Sequence, residues 1–170
     1  VMCGLAASSW GLGLVPCVLI CLLSGAVVGA INGLCVCYLG LSSWITTLAT
    51  QFICQGLAVT ISDGEPQSIA SLGLSEFTRA KPLGLSWLFF IFVVMIILLD
   101  VLIRRTRYGY SLRSVGGNQE ASVMAGINAR HVKLAAFILA GVFAAAGGLF
   151  DTLNAGAANA AFGNGREFRA

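Results

Sequence analysis

Hydrophobic residues dominate this chain in long runs, and polar residues collect in a few places between them. A membrane-spanning helix needs about 20 mostly apolar residues. Three runs meet that length directly: 12–38 (LGLVPCVLICLLSGAVVGAINGLCVCY), 83–103 (LGLSWLFFIFVVMIILLDVLI) and 132–153 (VKLAAFILAGVFAAAGGLFDTL). A further run, 43–61 (SWITTLATQFICQGLAVTI), has the length but carries several hydroxyls and amides. The pattern predicts an all-α transmembrane fold: one domain over 1–170, a bundle of about four transmembrane helices, with a polar loop at 104–131 before the last.

The polar residues of 43–61 are not scattered. At 100° per residue, Ser43, Thr47, Thr50, Gln51 and Gln55 fall within an arc of about 140°. Polar groups facing lipid are costly, so the stripe is expected to face protein or water. Two readings stand: interhelical hydrogen bonding, or the lining of a path for a hydrophilic solute such as a sugar, whose hydroxyls need neutral donors and acceptors. Asn32, deep in the first run, fits either. Small residues recur at four-residue spacing as Gly25, Gly29 and Gly33 in the first run, and as Ala140, Ala144 and Gly148 in the last. In lipid such faces let helix backbones approach closely.

Composition agrees with a membrane protein. Hydrophobic residues make up 58% and charged residues 10%, against about 25% charged in soluble domains; mean hydropathy is +0.90. The placement of charge says more than the net +3. Arg104, Arg105, Arg107, Arg113, Arg130 and Lys133 face a single acid, Glu120, across the 104–131 loop and its edge. The 62–82 segment holds Arg79 and Lys81 against Asp63, Glu65 and Glu76. Lysine and arginine mark cytoplasmic loops, so the 104–131 loop and the LGLSS turn (39–43) are expected inside, and the Asp63 loop outside. The implied location is a membrane with a cytoplasmic face, crossed several times. Asp100 stands one helical turn before Arg104, a favourable pair of interfacial anchors.

The chemistry of catalysis is missing. His131 is the only histidine, which rules out a paired-histidine zinc site, and there is no P-loop. Ser24 has no histidine in the membrane to activate it. Asp100 and Asp151 lie near helix ends, away from where a proton relay would run. Cys3, Cys17, Cys21, Cys35, Cys37 and Cys54 sit almost entirely in apolar runs, as small packing residues do. No catalytic residue, metal site, bound cofactor or nucleic-acid surface is expected; passive or partner-driven transport is what remains.

The loop stretch RSVGGNQEASVMAGINAR (113–130) is the least hydrophobic long passage. Gly116-Gly117 is expected to break the preceding segment, and Asn118 to cap a short helix from Gln119 to about Ala125. Glu120 in its first turn suits the helix dipole. Val123, Met124 and Ile127 would supply an apolar surface, with Gly126 and Asn128 as the stop.

The segment RTRYGYSLRSVGGNQEASVMAGIN (105–128) resembles the cytoplasmic loop of bacterial ABC-importer permeases for ribose, xylose and related sugars. Thr106, Gly109, Gly116, Gly117, Asn118, Ala121, Gly126 and Ile127 carry the likeness, and Glu120-Ala121-Ser122 followed by Gly126 has the spacing of that superfamily's E-A-A-x-x-x-G loop. Asn32-Gly33 with Thr47-Leu48-Ala49-Thr50, and GNGREF (163–168), are similar to two further family segments. Tyr110 stands where arginine is usual, Ser122 where a second alanine is, and Gly40 and Ser42 where a basic residue and a proline are. The resemblance implies a membrane subunit that uses ATP hydrolysed by a separate ABC ATPase, takes solute from an extracytoplasmic binding protein, and pairs with a second permease copy or homologue. It implies that Gly116, Gly117, Asn118, Glu120, Ala121, Met124, Gly126 and Ile127 form the ATPase-coupling element. It also implies a fragment of a longer permease of the cell inner (plasma) membrane. Nucleoside or branched-chain amino-acid uptake, and a small helical channel or structural membrane protein without an ATPase, are the alternatives.

Overall fold

The computed structural model describes residues 14–62, 67–68, 87–155 and 157–158. In chain order these form α1 (Leu14–Tyr38), α2 (Ser43–Ile61), β1 (Gln67–Ser68), α3 (Trp87–Arg105), α4 (Arg107–Gly117), α5 (Gln119–Met124), α6 (Ala129–Ala155) and β2 (Ala157–Ala158). The fold is helical. Among the described residues two short strands pair antiparallel, Gln67 with Ala158 and Ser68 with Ala157. GNGREF and the charged residues of the Asp63 loop lie outside the described residues.

Among the described residues, three helices are long and apolar enough to cross a membrane: Val15–Tyr38, Ser43–Ile61 and Ala129–Leu153. α3 matches α2 in length at 19 residues. α1 tolerates Pro16 because it falls in the first turn, where no intrahelical N–H bond is lost. It stops at Tyr38, and Gly40 turns the chain at φ 68° while the Leu41 N–H reaches back to the Cys35 carbonyl at 3.3 Å. Ser42 then opens α2 from an extended conformation, its carbonyl accepting from both the N–H (3.0 Å) and the hydroxyl (2.9 Å) of Thr46.

The tightest seam joins α1 and α6. A Cβ at Gly25 would overlap the Gly141 carbonyl, one at Gly29 the Phe137 carbonyl, and one at Gly33 would lie 2.7 Å from Leu134 Cδ1. The reciprocal holds: a Cβ at Gly141 would overlap the Gly25 carbonyl. Partner numbers fall along α6 as they rise along α1, so the helices run antiparallel. Cys17, with 0% exposure, packs on Leu149 at one end of the seam, and Gly33 meets Leu134 at the other. Sixteen residues of α1 between those contacts amount to about 24 Å, most of a hydrocarbon core. The described cysteines are free thiols, and Cys21 Sγ rests 3.7 Å from the Ala145 carbonyl oxygen.

The face expected on α6 is not the one used. Ala140, Ala144 and Gly148 are exposed, and a Cβ on Gly148 would meet nothing within 4 Å. The contact runs one position over, through Leu134, Phe137, Ile138, Gly141 and Ala145. α6 is rich in alanine and glycine throughout, so four-residue spacings of small residues occur in more than one phase. Gly141 decides between them, because a backbone-to-backbone approach to Gly25 has no room for a methyl group.

The 104–131 segment holds more helix than its polarity suggests. α3 runs on to Arg105, α6 begins at Ala129, and α4 fills 107–117. Asp100 and Arg104 form the expected ion pair, Oδ1 to Nε 2.6 Å, on the exposed surface. The antiparallel seam places the start of α6 beside the end of α1. The LGLSS turn and the α4–α5 segment therefore lie at one end of the bundle, and the β1–β2 pair at the other.

Candidate functional site

Thr106 makes the corner between α3 and α4. Its hydroxyl donates to the Leu102 carbonyl (2.5 Å), closing the last turn of α3, and its oxygen accepts from the Gly109 N–H (3.2 Å), capping α4. Gly109 is buried here, and a Cβ on it would overlap the Ile103 carbonyl. Both residues belong to the family-like pattern. The corner gives them a physical reason: one caps, and the other lets the chain double back on itself.

α4 then lays Tyr108, Leu112 and Val115, spaced along one helical face, on Ala129, Val132 and Ile127. Tyr108 Oη donates to the Val132 carbonyl at 3.2 Å. Burial pushes the Tyr108 hydroxyl above its usual value of 10.0, because the phenolate would lose solvation. Gly116 and Gly117 do not break the segment. Both are helical, a Cβ at either would meet nothing within 4 Å, and the break comes at Asn118.

Asn118 serves two helices. Its N–H donates to the Ser114 carbonyl (3.1 Å), ending α4, and its Oδ1 accepts from the Ala121 N–H (3.0 Å), starting α5. The extended backbone, φ −151° and ψ 108°, is what an N-cap requires. Ser122, 4% exposed, donates its hydroxyl to the Asn118 carbonyl at 2.8 Å. The departure from alanine at this position thus ties α5 to its own cap.

The end of α5 is a complete Schellman motif. The Gly126 N–H bonds to the Val123 carbonyl and the Ile127 N–H to the Ser122 carbonyl, both at 3.0 Å, with Gly126 at φ 81°. Asn128 is not part of this stop. It opens α6 instead, its Oδ1 accepting from the His131 N–H at 3.3 Å. Lys133 Nζ, one turn into α6, donates to Gln119 Oε1 at 2.5 Å and staples α5 to α6.

The exposed side of α5 carries Glu120, Ala121, Val123 and Met124, with Met124 at 92% and Val123 at 55% exposure. Ile127 is turned the other way, half-buried against Val115, Ala129 and Val132, so the expected apolar surface contains two of its three residues. Between α4 and α5 lies a groove of about 660 Å³, lined by Arg107, Tyr110, Ser111, Ser114, Asn118 and Ser122 among others.

The polar residues of α2 lie apart from this hairpin. The structure brings Thr50 and Asn32 together: Thr50 Oγ1 is 2.6 Å from Asn32 Oδ1 and 3.0 Å from the Thr46 carbonyl of its own helix. Thr47 turns its hydroxyl to the Ser43 (2.9 Å) and Trp44 (3.1 Å) carbonyls. Ser43, Thr47 and Gln51 are exposed and Gln55 is half-buried. Thr46, outside the predicted arc, is the buried hydroxyl of this helix. Its place one turn before Thr50 was the available signal.

The sequence model of a family described as branched-chain amino acid transport system / permease component matches residues 1–170. The chain belongs to this family. The fructose import permease protein FruF of Bifidobacterium longum (strain NCC 2705) is 36% identical over 139 residues, covering 79% of this chain and 39% of that protein. The galactose/methyl galactoside import permease protein MglC of Escherichia coli (strain K12) is 36% identical over 141 residues, 79% of this chain and 42% of that one. The D-allose transport system permease protein AlsC of the same organism is 32% identical over 145 residues, 85% and 44%. The chain thus spans about two fifths of the length of these relatives. No solved structure matches. As a member of a permease family with several helices long and apolar enough to cross a membrane, the chain is a multi-pass membrane protein.

Proposed function

We propose that this chain is part of the membrane-spanning subunit of an ATP-driven importer of monosaccharides, hexose or pentose, ribose and xylose included. The observation that carries the reading is α5: a six-residue helix capped at both ends and stapled to its neighbours, yet presenting Glu120, Ala121, Val123 and Met124 to solvent. A rigid helix with an exposed methionine at its tip suits docking in a groove of a separate ATPase. The sugar import permeases among its relatives support the solute class.

In this reading the Gly116–Ile127 element faces the cytoplasm and receives motion from the ATPase. Asn32, Thr47, Thr50, Gln51 and Gln55 offer neutral donors and acceptors to the solute, which an extracytoplasmic binding protein delivers. A second permease copy or homologue completes the path. ATP-driven closure of two ATPase subunits would shift both α5 helices and switch the bundle between two arrangements.

Glu120→Arg in the intact permease tests the coupling. Glu120 is exposed and in the first turn, so the variant is expected to fold and reach the membrane. It should lose most ATP-dependent sugar uptake and most ATPase recovered on purification. Unchanged uptake, or a wild-type protein that never associates with an ATPase, would sink the reading in favour of a channel or structural role.

A further inference from the structure

We infer that α5, α4, α6 and α1 move as one lever, and that the joint at which this lever moves is the Asn32–Thr50 contact with α2. The inference rests on the coupling function proposed above and says which helices carry the motion.

The α1–α6 seam is packed to backbone contact at Gly25, Gly29 and Gly141. There glycine lies against the facing carbonyls, while Gly33 meets the Leu134 side chain, and a displacement that brought a larger residue to one of these places would drive its side chain into a carbonyl. At its Leu134 end α6 is fastened to the hairpin three times: by Tyr108 to the Val132 carbonyl, by Lys133 to Gln119, and by the Val115–Ala129–Val132 cluster. A displacement of α5 therefore reaches α6, and through the glycine seam it reaches α1.

The contact of α1 with α2 is built differently. Thr50 has one hydroxyl proton and two acceptors in range, Asn32 Oδ1 across the interface and the Thr46 carbonyl within α2. When α1 moves away, the Thr50 proton turns to Thr46 and no buried donor is stranded. Asn32 Oδ1 is released at the same moment and becomes an acceptor for a solute hydroxyl. A polar contact with a ready alternative partner is a contact that can open and close, and its opening would present Asn32 to the sugar only while the lever is displaced.

The experiment uses the intact permease with its ATPase and binding protein in proteoliposomes. Spin labels go on the exposed positions Val27 (α1), Ala144 (α6) and Phe52 (α2), and pairwise distances are read by dipolar electron paramagnetic resonance in nucleotide-free and nucleotide-trapped states. The Val27–Ala144 distance should hold, while the Val27–Phe52 distance shifts by about 1–2 Å or more. A Val27–Ala144 change as large as the Val27–Phe52 change, or no Val27–Phe52 change, overturns the lever. As a functional arm, Ala145→Cys is cross-linked to native Cys21, with the other cysteines replaced by alanine. Uptake should stay within twofold of the reduced sample; a tenfold loss that reduction reverses counts against the lever. If the reduced variant is already inactive, the spin-label distances decide. Wild-type proteoliposomes without ATP-dependent sugar uptake would indict the coupling function itself, not the lever.

Discussion

The glycine seam and the α4–α5 hairpin reach order by opposite means. Between α1 and α6 the specifying feature is missing atoms: glycines let carbonyls approach where any side chain would intrude. In the hairpin it is atoms in set places: Thr106, Asn118, Ser122, Gly126 and Asn128 each satisfy a named backbone group at a helix end. The contrast follows from the surroundings. Inside lipid, apolar burial gives no preference for one helix pairing over another, so fit decides. In a polar loop, unsatisfied helix termini are the main local cost, so caps decide.

Enlarging one glycine is the strongest way to break the seam. Gly141→Leu should destabilise the intact protein by about 1–3 kcal/mol or prevent assembly, while Ala140→Leu, one position away on the exposed face, stays within about 0.5 kcal/mol. Thermal unfolding in detergent measures both. Equal effects would mean that the seam is not where the structure puts it.

The hairpin should break at its caps and leave the seam intact. Gly126→Ala forces a side chain into a left-handed conformation at a cost of roughly 1–2 kcal/mol, and Asn118→Ala removes a cap worth roughly 1 kcal/mol. Hydrogen exchange should then rise at the Ala121 and Ile127 amides and stay unchanged through the middle of α6. Exchange spreading into α6 would show that the two regions are not energetically separate.

The helices were legible in the sequence because 20-residue apolar runs have few alternatives, and α5 because Asn118 and Gly126 bracket it. The Gly25-Gly29-Gly33 face was legible too, since α1 offers a single glycine phase. α6 offers several phases, and spacing alone cannot choose among them without the partner's shape. α4 was hidden by Gly109, Gly116 and Gly117, which lower helix propensity while tertiary contacts through Tyr108, Leu112 and Val115 override it. For the polar stripe, periodicity placed the hydroxyls on one side of α2. It could not show that Thr50 pairs with Asn32, because that depends on how the four-residue turn after Tyr38 aligns the helices.

The smallest expected effect concerns Tyr108. Burial raises its folded value above 10.0, so the folded state holds this proton more tightly than the unfolded state does. Its contribution is full below pH 10 and is lost as pH rises through the folded value. Tyr108→Phe should flatten that alkaline decline in a pH series of unfolding temperatures. A variant that declines as steeply as wild type would remove Tyr108 from the fastening between α4 and α6.

The seam also sets a timetable for biogenesis. The hairpin's caps close within a few residues of one another and its packing partners are Ala129 and Val132, so it can form once the start of α6 is synthesised. Cys21 and the Ala145 carbonyl are 124 residues apart in the chain, and at about 5–20 residues per second α6 follows α1 into the bilayer on the order of ten seconds later. For that interval the glycine face of α1 lacks its α6 partner, and a neighbouring helix with small residues at the right spacing could occupy it. Fidelity of assembly therefore depends on what else the insertion machinery holds beside α1 while the rest of the chain is still being made.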